Sequence, residues 1–357
     1  MSPSNDIRIG FVGSGFARRV QIPALAFVPG AKATAIASGH RANAEAVARE
    51  FGLQVFGDGT ELARSADVDI VVVSSTPDSH ARYAIAALEA GKHVLCEKPM
   101  ALDAFEAAQM VTASEQRPDR LAWIDHELRY EPNRRRAREL MRSNAIGEVR
   151  HVELSLKPYL RGDGRPQASD APWTWWSDDS RGGGILGAVG SHLIDLCRFW
   201  TGSEITYVAG LVETFVKQRK DESGTLRPVT ADDFASCVLQ TGSGAVATIT
   251  LSTVAHHGPG HYGQVTGSEG TLVLSGETKL ELGKPGGPLE DISAPDDLWE
   301  QTKPNNMWAR SFVRLMREMV QVIRGSAPQS EPATFRDGWQ VQRVLDAIRG
   351  GRGVQLD

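Results

Sequence analysis

Between residues 7 and 124, short β-branched runs alternate with alanine-rich stretches whose apolar positions recur every three or four residues. The short runs suit strands and the longer period suits helices. The pattern predicts strands at 7–12, 33–37, 69–74, 93–96 and 121–124, and helices at 17–27, 42–51, 79–90 and 103–115. Such a rhythm folds as a doubly wound parallel α/β sheet. Near residue 125 the pattern changes. Longer strand-like segments follow at 148–156, 206–216, 234–239, 245–254, 262–266 and 271–274, with few helices between them until 305–324. These predict a second, α+β domain on a large, open-faced, mostly antiparallel sheet. The expected division is therefore 1–124 and 125–357, with a last helix at about 335–349 able to pack on either domain.

A chain of 357 residues exceeds what one core usually organises, in keeping with two domains. A net charge of −5 with 23% charged residues gives no electrostatic footprint for nucleic acid or an anionic membrane. Small molecules and further copies of the chain are the expected partners. Three cysteines at long spacings, Cys96, Cys197 and Cys237, fit neither a disulfide framework nor a zinc site and point to a reducing cytoplasm. The N-terminal residues Met1 to Asp6 lack a basic region, and the apolar run behind them is too short for a signal segment or a membrane span.

The first chemical motif is Gly13-Ser14-Gly15-Phe16-Ala17-Arg18, placed where the first strand turns into the first helix. Glycines there let backbone amides approach a pyrophosphate, so the turn predicts dinucleotide binding even though Arg18 stands where a third small residue is expected. After the second strand, Ser38-Gly39-His40-Arg41 holds no carboxylate to take a ribose 2′-hydroxyl. A serine hydroxyl, a backbone amide and a guanidinium suit a 2′-phosphate instead, which favours NADP, with NAD as the second choice. The fourth strand runs directly into Glu97-Lys98-Pro99, and such charges are rarely buried unless paired.

Three further segments occur in order with the glycine turn: Ser75-Thr76-Pro77-Asp78-Ser79-His80, then Glu97-Lys98-Pro99, then the glycine-rich run from Gly182 through His192 to Asp195. In sequence and spacing they resemble the glucose–fructose oxidoreductase, inositol dehydrogenase and rhizopine-catabolism (GFO/IDH/MocA) family, over nearly the whole chain. The resemblance implies an N-terminal Rossmann domain, a C-terminal sheet that commonly mediates homodimers or homotetramers, and NAD(P)-dependent oxidation or reduction of sugars, polyols or related carbonyl compounds. It also implies cofactor contacts at Gly13, Gly15, Phe16, Ala17, Ser38, Gly39, His40, Arg41, Ser75, Thr76, Pro77, His80, Glu97 and Lys98. Lys98 would steady the charge developing on the substrate oxygen, Glu97 would sit near the nicotinamide ribose, and Pro99 would fix the exit from the strand.

His192 and Asp195 are three apart on an expected helix at 188–200 and share one face. His192 is the expected acid–base group, and Asp195 would hold its tautomer or bind a substrate hydroxyl. His126, Glu127 and Arg129, in the segment that resembles the family's crossing into the second domain, and Trp176 are further substrate-contact candidates. Many relatives carry Asp four residues before the histidine, where this chain has Ala188. The proton relay then rests on Lys98 and His192 alone, or on a further residue that the spacing does not reveal. The same substitution keeps open a second reading, a sugar- and cofactor-sensing regulator without turnover. A biliverdin-reductase-like enzyme is a third, disfavoured by the polar candidates. Arg134, Arg135, Arg136, Arg138 and Arg142 read as a solvated helix face, and His256, His257 and His261, split by Gly258-Pro259-Gly260, read as a loop with no metal.

Overall fold

The structure, a computed structural model, describes residues 6–157, 171–351 and 353–356; the reading of residues 1–5 lies outside the described residues. The chain forms two compact units, Met1–Glu131 with Asp296–Trp339, and Pro132–Pro295 with Gln340–Asp357.

In the first unit, strand β1 (Ile7–Val12) ends in the glycine turn and is followed by a π-helical turn, Ala17–Gln21, that runs into helix α1 (Ile22–Leu25). Then come β2 (Ala31–Ala37), α2 (Arg41–Phe51), β3 (Gln54–Val55), α3 (Gly59–Arg64), β4 (Ile70–Val73), α4 (His80–Glu89), β5 (His93–Cys96), α5 (Ala104–Glu115) and β6 (Ala122–Ile124). All strands are parallel, in the order β3-β2-β1-β4-β5-β6. The order reverses between β1 and β4, which opens a crevice at their carboxyl ends. The patterning at 42–51, 93–96 and 103–115 falls on α2, β5 and α5. The short β3 and α3 had too few residues to show a period, although Asp58 caps α3 by accepting from the Glu61 amide at 2.8 Å.

Both faces of this sheet are covered, and β4 is accordingly apolar at every position. Val71, Val73, Val94 and Cys96 pack against Leu62, Ala84, Leu88, Ala107 and Met110 on one side. Ile9, Phe11, Ile70, Val72 and Leu95 pack on the other side in one cluster with Phe312, Val313, Met316 and Met319.

The second unit starts with α6 (Pro132–Arg142). Its main sheet comprises β7 (Val149–Lys157), β8 (Ile205–Glu213), β11 (Phe234–Thr241), β12 (Val246–Ser252), β13 (Gly260–Gly267), β14 (Thr271–Ser275), β15 (Lys279–Gly283), β16 (Leu289–Asp291) and β17 (Val354–Gln355), while β9 (Gln218–Lys220) and β10 (Leu226–Pro228) form a separate hairpin. The nine strands lie in the order β16-β15-β14-β13-β7-β12-β11-β8-β17, antiparallel except between β7 and β12. Helix α7 (Ser191–Thr201), preceded by a π-helical turn at Leu186–Gly190, is buried along nearly its whole length. On the opposite face of the sheet Leu211, Val238 and Val246 are exposed.

Helix α8 (Met307–Ile323) returns to the first unit, and α9 (Phe335–Arg349) begins in the first unit and ends in the second. The division expected after residue 124 thus falls after Glu131, and 296–339 join the first unit. The reason is layer cover: the apolar face of α8 completes one side of the parallel sheet. Arg317 also donates to the Phe27 carbonyl at 3.1 and 3.0 Å, and the Ile124 amide donates to Ala333 O at 2.9 Å.

Two outcomes follow for stability. Met316 has no exposed surface, so Met316→Ala should cost roughly 2–5 kcal/mol in denaturant unfolding, and a loss below about 1 kcal/mol would mean that α8 does not close this core. His93 accepts the Leu121 amide on Nδ1 at 3.0 Å, and burial lowers its pKa from 6.5 to about 4. The unfolded chain therefore binds the proton first as pH falls. Stability should be full above pH 6.5 and decline toward pH 4, by on the order of 2 kcal/mol, with His93→Gln flattening that part of the profile.

Candidate active site

At the carboxyl edge of the parallel sheet, Gly13 adopts φ +112, and a Cβ there would run into the Ser74 carbonyl. Its amide donates to Ala37 O at 2.8 Å, while the Ser74 amide donates to Val12 O at 2.7 Å. The turn thereby joins the ends of β2, β1 and β4, and only glycine fits it. Gly15 and Gly39 differ from Gly13. A Cβ at either would meet nothing within 4 Å, and both are exposed. Protein packing does not require them to be bare. Phe16 packs against the core and Ala17 is buried, so what they offer the turn is backbone.

Ser38 Oγ lies 3.1 Å from Ser14 Oγ, which links the end of β2 to the glycine turn. His40 and Arg41 are exposed, and Arg41 Nε donates to Glu45 Oε1 at 2.9 Å one helical turn on. Arg18 reaches Glu50 of α2 at 2.7 Å, so it leaves the turn without crowding it.

Beyond β4, Ser75 accepts the Ser79 hydroxyl at 2.7 Å, Thr76 bonds Asp78, and Pro77 is buried at the start of a short 3₁₀ turn. His80 is buried, with Nδ1 3.0 Å from Pro99 O and Nε2 3.1 Å from Ser75 O. Burial lowers its pKa, and its ring ties the loop after β4 to the loop after β5.

Glu97 follows β5 and is buried; its carboxylate Oε2 lies 3.8 Å from the Lys98 ammonium and accepts the Lys98 amide at 3.2 Å. The Lys98–Pro99 bond is cis. The charges at this strand end are thus paired, and Lys98 is only partly covered. Gln21, fully buried in the π-helical turn, donates through Nε2 to Glu97 Oε1 at 2.9 Å and to Asp125 Oδ2 at 3.1 Å, and accepts the Ser74 hydroxyl. Burial raises the Glu97 pKa against the opposing pull of Lys98; burial together with Glu127 and Glu97 raises that of Asp125 further. Gln21, Ser74 and Asp125 were not anticipated. The signal for Gln21 was a polar residue inside the apolar run Val20-Gln21-Ile22.

His126, Glu127 and Arg129 lie in or beside a 3₁₀ turn, Glu127–Tyr130, where every residue is buried. Arg129 donates to Glu331 O at 3.0 Å and to Asp337 Oδ1 at 3.2 Å, so its guanidinium ties the turn to 331–337 within the first unit. Burial pushes the Glu127 carboxyl well above its ordinary range.

In the second unit His192 and Asp195 are both buried on α7, and Arg198 lies 3.6 Å from Asp195 while bonding Glu204 at 2.6 Å. Ala188 sits in the π-helical turn before them. Asp232, also unanticipated, accepts the Leu186 amide at 2.7 Å and its carbonyl accepts the Ile185 amide at 3.0 Å. A Cβ at Gly184, φ +101, would strike that carboxylate, so the glycine run is shaped around Asp232. Trp176 is exposed, its ring edge-on to Trp175 at 6.0 Å. Among the described residues no group of three or more His, Cys, Asp or Glu side chains could hold a metal ion, and no helix is long and apolar enough to cross a membrane.

Residues 7–126 match the model of an oxidoreductase family with an NAD-binding Rossmann fold, and 134–273 match the GFO/IDH/MocA C-terminal domain. The chain is 32% identical to glucose-fructose oxidoreductase domain-containing protein 2 of Xenopus laevis, over 96% of this chain and 90% of the relative. An oxidoreductase domain protein from Kribbella flavida superposes with a TM-score of 0.85 at 27% identity, over 99% of this chain and 100% of its own. Levoglucosan dehydrogenase in complex with NADH and levoglucosan shares the fold, with a TM-score of 0.83 at 23% identity over 98% and 99% of the two chains. A glycine turn kept open at the strand-order switch, a Glu-Lys-Pro segment at the neighbouring strand end and both matched domains lead to one conclusion: the chain belongs to the GFO/IDH/MocA family and is an NAD-binding dehydrogenase or reductase.

Proposed function

We propose that the protein moves a hydride between a nicotinamide cofactor, with NADP preferred, and a hydroxyl or carbonyl group of a sugar-like compound. The observation that carries this reading is the bare backbone at Gly15 beside the switch of strand order, with Lys98 at the neighbouring strand end. A nicotinamide cofactor bound at this edge would supply or accept the hydride. The amides of the glycine turn would hold its phosphates, and Ser75 and Thr76 would line the same edge. Lys98, held by Glu97, places positive charge where a substrate oxygen gains negative charge, which lowers the barrier electrostatically. His192 takes the alcohol proton in oxidation and returns it in reduction. Asp195, one helical turn on, is a further substrate contact, and Trp176 offers an aromatic face to a sugar ring.

NADP is favoured by the absence of a carboxylate at 38–41 and by the exposed guanidinium of Arg41. Its bond to Glu45 is a surface pair along a helix, worth about 0.3–0.5 kcal/mol, which a phosphate dianion outcompetes. The sugar class is supported by the relatives, a protein that contains a glucose–fructose oxidoreductase domain and a levoglucosan dehydrogenase. The exposed Leu211, Val238 and Val246 on one sheet face support a homodimer or homotetramer, and the three buried thiols suit the cytoplasm. A sensor without turnover remains the second reading, on the strength of Ala188.

Calorimetric titration with NADPH and NADH tests the cofactor. NADPH should bind at least tenfold more tightly, and Arg41→Ala should remove that difference; equal affinities would discard the phosphate cradle. Gly15→Ala fits the protein and should leave thermal stability within about 1 kcal/mol while weakening cofactor binding at least tenfold. Unchanged binding would mean that the turn faces no phosphate. Across a panel of aldoses and polyols that includes levoglucosan, Lys98→Met should nearly abolish turnover with cofactor affinity within a few-fold. Cofactor binding without turnover on any member would favour the sensor.

A further inference from the structure

Beside Lys98, two carboxyl groups are buried at the ends of adjacent strands, Glu97 after β5 and Asp125 after β6. One amide serves both. The Gln21 nitrogen carries two hydrogens and stands 2.9 Å from Glu97 Oε1 and 3.1 Å from Asp125 Oδ2. Its orientation is fixed because the Ser74 hydroxyl donates to its oxygen, leaving the nitrogen to face the carboxyl groups. Two ionised carboxylates set around one amide in a dry site repel each other, which favours a proton on one of them.

Their surroundings decide which. Glu97 accepts the Lys98 amide at 3.2 Å and lies 3.8 Å from the ammonium. Asp125 is fully buried, and its Oδ1 has no hydrogen-bonding partner among the described residues. A negative charge is stabilised where donors and a cation converge, and it is costly where they do not. Among the described residues, Glu127 and the Cys96 thiol also interact electrostatically with this pair, and Lys98 with Glu97 and Glu127. None of them adds a cation beside Asp125.

We propose that Gln21 and a protonated Asp125 form a positioning hub that keeps Glu97 ionised beside Lys98. The two carboxyl groups then carry one negative charge, matched by one ammonium. Gln21 and Asp125 act through Glu97 and touch no reacting atom, so they are positioning residues. The catalytic meaning of the hub rests on the role proposed for Lys98, but its protonation pattern does not.

Infrared difference spectroscopy of the full chain reads that pattern directly. At pH 7, wild type minus Asp125→Asn should contain the C=O stretch of a protonated carboxylic acid, and wild type minus Glu97→Gln should contain carboxylate bands only. In Gln21→Leu the amide donors that stabilise the ionised forms are gone, so acid bands should persist to a pH about one unit or more higher. Gln21→Met serves the same purpose if Gln21→Leu does not fold, and far-ultraviolet circular dichroism with a cooperative thermal transition reports folding in each variant. Absence of an Asp125-dependent acid band at pH 7, an acid band from Glu97 there, or an unmoved titration in both Gln21 variants would each overturn the hub. If the bands behave as expected while Lys98→Met keeps full turnover, the hub stands and the catalytic reading of Lys98 falls.

Discussion

The burial of Glu97 and Asp125 at neighbouring strand ends is the constraint around which the functional edge of the first unit is arranged. A parallel sheet covered on both faces has no water with which to satisfy carboxyl groups at its carboxyl edge. Every group near them is placed accordingly. Gln21 supplies two donors, Ser74 fixes the direction of that amide, and Lys98 supplies both a backbone donor and a charge. The π-helical turn at Ala17–Gln21 is the local consequence, since its altered register brings a residue of the first helix under the ends of β4, β5 and β6. His80 adds a second tie, joining the loops that follow β4 and β5 through two carbonyl oxygens.

The edge built on that constraint divides glycine by purpose. Gly13 is glycine because the Ser74 carbonyl leaves no room and the backbone is left-handed there. Gly15 and Gly39 are surrounded by open space, so packing within the fold does not account for them. The same distinction separates the second unit's glycine run, where Gly184 yields to the Asp232 carboxylate that accepts the Leu186 amide at the start of the turn leading to His192. A glycine-rich motif is thus two statements at once, one about chain geometry and one about access.

Much of this was legible in the sequence, and the limits have physical causes. Strands β1, β2, β4 and β5 were readable because buried parallel strands are continuous apolar runs, and the matched motifs lie at their ends. The membership of 296–339 was not, because α8 is an amphipathic helix whose periodicity gives its apolar face but not the sheet that the face covers. His80 and Arg129 are polar residues in functional-looking segments, and nothing in their spacing reveals the backbone carbonyl oxygens that their side chains reach in the fold. Gln21 and Asp125 carried a weak signal, polar residues set in apolar runs, but their meeting depends on three strand ends and a helix turn that only the fold brings together.

Two energy scales therefore coexist along one sheet edge. Around Glu97 and Asp125, removing a single donor leaves a buried charge or polar atom unsatisfied, a cost of about 1–3 kcal/mol or more, so those positions tolerate little change. Around Arg41 and Glu45 the groups are exposed and their mutual attraction is a few tenths of a kcal/mol. A charge-assisted contact to a phosphate is roughly twice as strong as a neutral hydrogen bond, enough to displace Glu45 without disturbing any packed residue. The positions proposed to choose between cofactors thus lie where substitution is cheap, and the positions that hold Lys98 lie where it is not. On this arrangement cofactor preference can change by surface substitution alone, while the protonation proposed for Asp125 is held by buried groups.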